Sequence, residues 1–396
     1  MTMMSYIYRP IEKKILEALE RKKSVLLLGP RQTGKTTIAQ RFNLDLQINL
    51  MDANKRQQYE SQPGSLIGEL QFLSESLDRQ PLVFIDEIQK VPELMDALQV
   101  LIDTGVAQFI ISGSSARQIR NLLPGRVIRF QMDPLSSIEL HDKNCHIEQQ
   151  LVYGTLPGIV NVHKEADKEL ELKTYVSNYL EEEIRKESLV RNLAAFSQFL
   201  HLACIESGHL VSFRAISQEI GVSHSTIAEY YRILEDCMLV ERIDPITKSE
   251  SRKRLTKSSK YIVFDMGVRR VGAKEGNSLS VQHMAHLFEQ WVGLELKRIS
   301  RLHLSTTTLS FWRDHAGPEV DWVLQKENEY LPIEVKWTQK PKESDCRHIH
   351  TFMNEYSAKK GIIVCRCSAP LRLSDRVIAI PWHMLAEQAA EWILLG

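Results

Sequence analysis

In the first third of the chain, short continuous apolar runs alternate with stretches whose apolar residues recur every three or four positions. Continuous runs predict buried strands, and the wider period predicts amphipathic helices packed on them. Ile7 to Arg21, with Ile11, Ile15, Leu16 and Leu19 at helical spacing, predicts a leading helix. Strands are expected at Val25 to Leu28, Leu46 to Leu50, Pro81 to Asp86 and Gln108 to Ser114. Helices over Ser65 to Arg79 and, after Pro92, over Leu94 to Ile102 fall between them. Strands alternating with helices at this spacing predict a parallel sheet covered on both faces.

Beyond this block the periodicity turns helical from Lys168 to His201, with Leu172, Tyr175, Val176, Tyr179 and Leu180 on one face. The acidic run Glu181-Glu182-Glu183 reads as the solvated side. A helix-turn-helix follows over Ser212 to Leu234: Gly221 supplies the turn, Ser223 caps the second helix, and Ile227, Tyr230, Tyr231 and Leu234 face inward. Strands at Leu239 to Ile243 and Tyr261 to Phe264 complete a winged helix. The last third predicts a helix over His286 to Leu296, strands at Leu309 to Arg313, Glu319 to Leu324 and Leu331 to Trp337, a helix over Arg347 to Ser357 and a strand at Gly361 to Cys365. These patterns divide the chain into segments 1–135, 136–192, 193–275 and 276–396.

The first apolar strand opens onto Gly29-Pro30-Arg31-Gln32-Thr33-Gly34-Lys35-Thr36-Thr37, a full G-x-x-x-x-G-K-[ST] pattern between strand and helix. Gly29 and Gly34 let the backbone turn tightly so that its N–H groups face a triphosphate, at the positive end of the following helix. Lys35 is expected on the β- and γ-phosphates and the Thr36 hydroxyl on Mg²⁺. A second element, Val83-Phe84-Ile85-Asp86-Glu87, runs apolar residues into two carboxylates. Asp86 would hold Mg²⁺ through water and Glu87 would activate the attacking water. Together the two patterns predict a domain that binds and hydrolyses ATP. Ser112 and Ser114 end the strand expected beside the γ-phosphate, where they either position water or cap the next helix. Arg126, with Arg117 and Arg129 behind it, is the candidate to enter a neighbouring copy's site and stabilise transition-state charge.

Charge balances at 50 basic against 50 acidic residues, so any nucleic-acid surface must be local. It concentrates at Lys248, Arg252, Lys253, Arg254, Lys257 and Lys260, opposed by Glu250, between the two wing strands. A basic hairpin beside a recognition helix is the electrostatic footprint of DNA-backbone binding, with His224, Ser225 and Thr226 toward the groove. Winged helices also serve as protein-contact modules, and that alternative stays open. No apolar run is long enough to span a bilayer and no signal-peptide pattern opens the chain, so a soluble cytoplasmic protein is expected. The cysteines carry no C-x-x-C pair and read as reduced core thiols; Cys346, His348 and His350 lack a second ligand pair for a metal.

In the last third, Glu334 and Lys336 stand two apart on one strand and therefore share a sheet face, with Asp321 on the neighbouring strand beside them. Two carboxylates and a lysine suit Mg²⁺-assisted phosphodiester hydrolysis: Asp321 and Glu334 on the metal, Lys336 on the attacking water. A spent fold with Lys336 merely ion-paired would read the same.

Gly29 to Thr36, Phe84 to Gln89, Ile111 to Ser114, Leu122 to Arg126 and Gly154 to Gly158 resemble an AAA-type ATPase family of prokaryotes, in which this domain precedes a C-terminal domain often similar to PD-(D/E)xK nucleases. The D…E-x-K order of Asp321, Glu334 and Lys336 matches that signature, and Glu289 matches the extra helix acid many of them carry. The resemblance implies an α/β chain: a five-stranded P-loop AAA-type core with a helical lid, a winged-helix middle domain and a C-terminal α/β domain of restriction-endonuclease type. It further implies ATP and Mg²⁺ as ligands and assembly into a homo-oligomeric, hexameric ring. The function expected is an ATP-driven, DNA-acting enzyme of repair, recombination or defence. The alternative is a nucleotide-switched signalling or scaffold protein.

Overall fold

The computed structural model describes residues 6–115, 125–141, 146–180, 192–246, 258–303, 306–314 and 317–395. It divides into two compact units, one of residues 1–134 with 236–239, the other of residues 135–235 with 240–396.

The first unit is built on β1 (Ser24–Leu28), β2 (Leu46–Asn49), β3 (Leu82–Asp86), β4 (Gln108–Gly113) and β5 (Val127–Gln131). Their order is β2-β3-β4-β1-β5, every neighbouring pair parallel. Because β4 lies between β1 and β3, the ends of these three strands open on one edge of the sheet. That edge of an open parallel sheet is where ligands bind. Gly29 can leave β1 there because it is glycine: a Cβ would lie 2.2 Å from the Met132 carbonyl oxygen. The leading helix starts at Ile11 instead of Ile7, since Pro10 occupies its N-cap and proline disfavours helical backbone before it. Helices Ser65–Leu77 and Leu94–Asp103 cover the sheet, burying Leu66, Leu70, Leu94, Leu98 and Leu101 against Val83, Ile85 and Ile111. Met238 is buried in the same core.

In the second unit, helix Glu165–Thr174 runs into a π-helical stretch, Tyr175–Leu180. Helices Leu193–Ile205, Phe213–Ile220 and His224–Asp236 follow. The Ser223 hydroxyl accepts from Thr226 N at 3.1 Å, and Gly221 takes a φ of 80°, so the turn and the cap fall where the sequence puts them. Then come β6 (Val240–Pro245), β7 (Lys260–Val263), helix Val281–Leu302, β8 (Thr308–Arg313), β9 (Glu319–Lys326) and β10 (Glu329–Val335). Helix Arg347–Tyr356, β11 (Gly361–Cys365), β12 (Leu371–Arg372), β13 (Val377–Pro381) and helix Leu385–Leu395 complete it. β8, β9 and β10 are antiparallel, and β11 returns parallel to β10 after the helix. The β6–β7 hairpin does not stand apart: β6 pairs in parallel with β8 at Asp244↔Ser310 and Pro245↔Phe311. Eight strands thus form one sheet, β12-β13-β11-β10-β9-β8-β6-β7, across the boundary drawn at 275. The open edge of β8 supplies the unpaired backbone groups that β6 satisfies. Among the described residues no helix is long and apolar enough to cross a membrane.

Candidate functional site

The loop after β1 carries two left-handed residues, Gln32 (φ 62°) and Gly34 (φ 93°), which turn it back over the start of helix Lys35–Ala39. Thr33 is fully buried and its hydroxyl donates to Pro30 O at 2.9 Å. Lys35 Nζ donates to Gly29 O at 2.8 Å and Pro30 O at 2.9 Å, so the lysine is folded over its own loop. Thr37 is exposed beside it. The loop has a brace that the sequence reading missed. Arg9, 7 % exposed, donates from one guanidinium nitrogen to Thr33 O at 3.0 Å and from the other to Asp133 O at 2.9 Å. Pro10 starts the helix after Arg9, but nothing local in the sequence shows that its partners are the carbonyls of Thr33 and Asp133.

Across the edge, Thr36 Oγ1 donates to Asp86 Oδ2 at 2.8 Å, and Ser112 Oγ donates to Asp86 Oδ1. The same serine oxygen accepts from Glu87 N at 3.1 Å. Glu87 is a non-glycine residue in the left-handed region, φ 60°, a strained conformation of the kind that concentrates at functional sites. Its Oε2 accepts from Gln89 Nε2 at 2.7 Å and from Ser114 Oγ at 3.3 Å. Gln89 Nε2 also donates to Ser114 Oγ at 2.8 Å. Ser112 and Ser114 therefore serve the two acids. A hydroxyl and a buried carboxylate side by side form an all-oxygen donor set that fits a hard cation such as Mg²⁺.

Arg126 lies elsewhere. It precedes β5, at the opposite edge of the sheet from the loop, and makes a two-pronged ion pair with Asp103 at 2.7 and 2.9 Å. A five-residue strand is about 16 Å long, so Arg126 does not reach the loop of its own chain. Arg129 sits within β5. Arg117 lies outside the described residues.

Residues 21–141 match the family model of an AAA domain. The first unit carries an AAA-type ATPase core. Residues 144–277 and 284–385 each match a domain of unknown function. Uncharacterized proteins of Mycobacterium tuberculosis and Mycobacterium bovis are each 25 % identical over 380 residues, covering 94 % of this chain and 83 % of theirs. Among solved structures, a signal transduction ATPase with numerous domains, with a tetratricopeptide repeat sensor, from Pyrococcus horikoshii is 13 % identical with a TM-score of 0.29. The match covers 76 % of this chain and 50 % of that one. PCH-2 of C. elegans is 14 % identical with a TM-score of 0.26, over 58 % of this chain and 65 % of its own.

Separate from the ATPase core, a second cluster forms on the eight-stranded sheet. The β9–β10 ladder ends at Trp322↔Ile333, which brings Asp321 beside Glu334. Asp321 Oδ2 accepts from Val335 N at 2.8 Å. Lys336 Nζ donates to Glu334 Oε1 at 2.7 Å, whereas Glu334 Oε2 is buried without a partner. Burial raises the Asp321 pKa well above the usual carboxylate range, and the charges of Glu289 and Glu334 push the same way. Glu334 is likewise raised by burial, against the pull of Lys336 and His348. Burial pulls the Lys336 pKa down, but the charge and hydrogen bond of Glu334, with the charges of Asp321 and Asp345, together hold it above its ordinary value. The orphaned Glu334 oxygen and its acidic neighbour fit a divalent cation. Among the described residues, though, no three carboxylate, imidazole or thiolate groups gather tightly enough to enclose one. Cys346 is fully buried, and with His348 and His350 it forms no metal set.

One expected DNA contact is overturned. Lys260 does not face solvent: its side chain is 13 % exposed, and its ammonium pairs with Glu289 Oε1 at 2.9 Å. At the start of β7 it is drawn in by aromatic faces and a carboxylate that periodicity does not reveal. His224 and Ser225 are exposed at the start of helix His224–Asp236, with Thr226 partly covered. Lys248, Arg252, Lys253, Arg254 and Lys257 lie outside the described residues.

Proposed function

We propose that this chain is an ATP hydrolase that acts on DNA. The observation that carries the ATPase reading is Asp86, whose two oxygens tie the Thr36 hydroxyl of the phosphate loop to Ser112 at the end of β4. ATP lies in the loop 29–36, where Lys35 exchanges its carbonyl partners for phosphate oxygens, a neutral contact for a charged one. Thr36 and Asp86 hold Mg²⁺, which neutralises the phosphate charge. Glu87, aimed by Ser114 and Gln89, accepts the proton of the attacking water. Arg126 serves the nucleotide of a second copy in a ring, leaving Asp103 to do so.

Exposed His224 and Ser225 and the basic stretch 248–257 support a DNA-gripping role for the winged helix. Asp321, Glu334 and Lys336 form a second cluster of the type that suits metal-assisted phosphodiester chemistry. The test is ATP turnover of the full chain with duplex, single-stranded and four-way DNA. Stimulation by at least one DNA, lost in Lys35→Ala, supports the reading, and a rate indifferent to every DNA removes its second half. The Lys336–Glu334 ion pair also favours a second reading, a nucleotide-switched scaffold, under which no salt-dependent DNA binding is seen.

A further inference from the structure

We propose that Lys260 is a resident cation of the Asp321–Glu334 cluster, one that excludes a divalent ion by drawing Glu289 away. The inference rests on reading this cluster as a metal-type site.

Lys260 opens β7, opposite Ile243 of β6. Its Nζ stands 2.9 Å from Glu289 Oε1, 5.0 Å from the centre of the Trp322 ring and 5.2 Å from that of Phe311. An ammonium between two aromatic faces and a carboxylate is desolvated, paired and fixed. Glu289 is held at both ends, its carboxylate by that ammonium and its backbone carbonyl by Trp322 Nε1 at 3.0 Å. The acid that would make a third oxygen ligand is therefore spoken for. What remains is Asp321, held by a backbone N–H, and Glu334, with one oxygen on Lys336 and the other buried and unpartnered. A buried carboxylate oxygen without a donor is costly and marks an unmet demand for positive charge. Three carboxylates against two ammoniums leave one net negative charge when all are ionised, too little to draw a hard dication from water. Without Lys260 the balance is two negative charges, and Glu289 is released toward its neighbours.

The test is Mn²⁺ binding to the nucleotide-free full chain by titration calorimetry, for wild type, Lys260→Met, Lys260→Gln and each neutral variant combined with Asp321→Asn. Lys260→Gln keeps a donor for Glu289 and so guards against a folding failure of Lys260→Met. Both neutral variants are expected to bind about tenfold tighter or more, the effect of deleting a unit charge about 5 Å from a dication even at the screening of bulk water. The added Asp321→Asn abolishes the gain. If wild type already binds Mn²⁺ through Asp321 as tightly as the variants, the metal reading stands and the role of Lys260 falls. If no variant shows binding that depends on Asp321, the metal reading falls with it.

Discussion

Replacing Ser112 by alanine separates the two acids of the ATP site without touching the phosphate loop. The serine is fully buried on β4; its hydroxyl donates to Asp86 Oδ1 and accepts from Glu87 N at 3.1 Å. A hydrogen bond to a charged group contributes about 1.5–3 kcal/mol and a neutral one about 1 kcal/mol, so roughly 2.5–4 kcal/mol of positioning is lost at Glu87 and Asp86. Glu87 depends on that bond because its backbone is held at a φ of 60°. At about 1.4 kcal/mol per decade, kcat for ATP is expected to fall about 60- to 700-fold. KM for ATP should stay within about threefold, because Lys35 and its loop are untouched. Steady-state phosphate release gives kcat, and titration with a fluorescent nucleotide checks binding. A folded variant whose kcat stays within about threefold of wild type would refute the linkage.

Three more outcomes are expected elsewhere in the chain. In Gly154→Ala the new Cβ would lie 1.9 Å from Asp265 Oδ1, at a φ of +71°. A loss of about 3–5 kcal/mol is expected in chemical denaturation, and a loss under about 1 kcal/mol contradicts the packing. Burial, and then the His209 ring stacked 4.2 Å away, push the pKa of His286 down to about 4 from 6.5. The unfolded chain therefore binds more protons between these values, so this contribution is intact above pH 6.5 and is lost as pH falls toward 4. His286→Gln should flatten that part of the stability profile; parallel profiles would contradict it. Changing Lys248, Arg252, Lys253, Arg254 and Lys257 together to alanine should lower the salt slope of DNA binding by about 4.5, at about 0.9 per phosphate contact. An unchanged slope removes the hairpin from the DNA interface.

The sequence is most legible where chemistry and periodicity coincide. The glycines and lysine of the phosphate loop, the apolar run into Asp86, and the serines ending β4 are local patterns, and parallel pairing in the order β2-β3-β4-β1-β5 brings them to one edge. The Glu334–Lys336 spacing also suffices, because strand geometry alone puts both on one face. Partners distant in the chain are less legible. Nothing around Lys260 tells that β6 joins β8 in one sheet, nor that Glu289 and Trp322 wait for its ammonium. A basic hairpin residue and a buried ion-pair partner carry the same letter. Arg9 is hidden for a related reason: the two carbonyls it bridges, Thr33 and Asp133, are 100 positions apart and become neighbours only when β5 pairs with β1.

The central claim, hydrolysis of ATP at the loop 29–36 with Asp86 and Glu87, is tested most directly by ATP turnover and ATP binding of wild type, Lys35→Ala and Glu87→Gln. Wild type is expected to release phosphate. Lys35→Ala should lose binding and turnover together, whereas Glu87→Gln should bind ATP and fail to cleave it. Turnover that survives in Lys35→Ala, or wild type that binds ATP without ever cleaving it, would contradict the account.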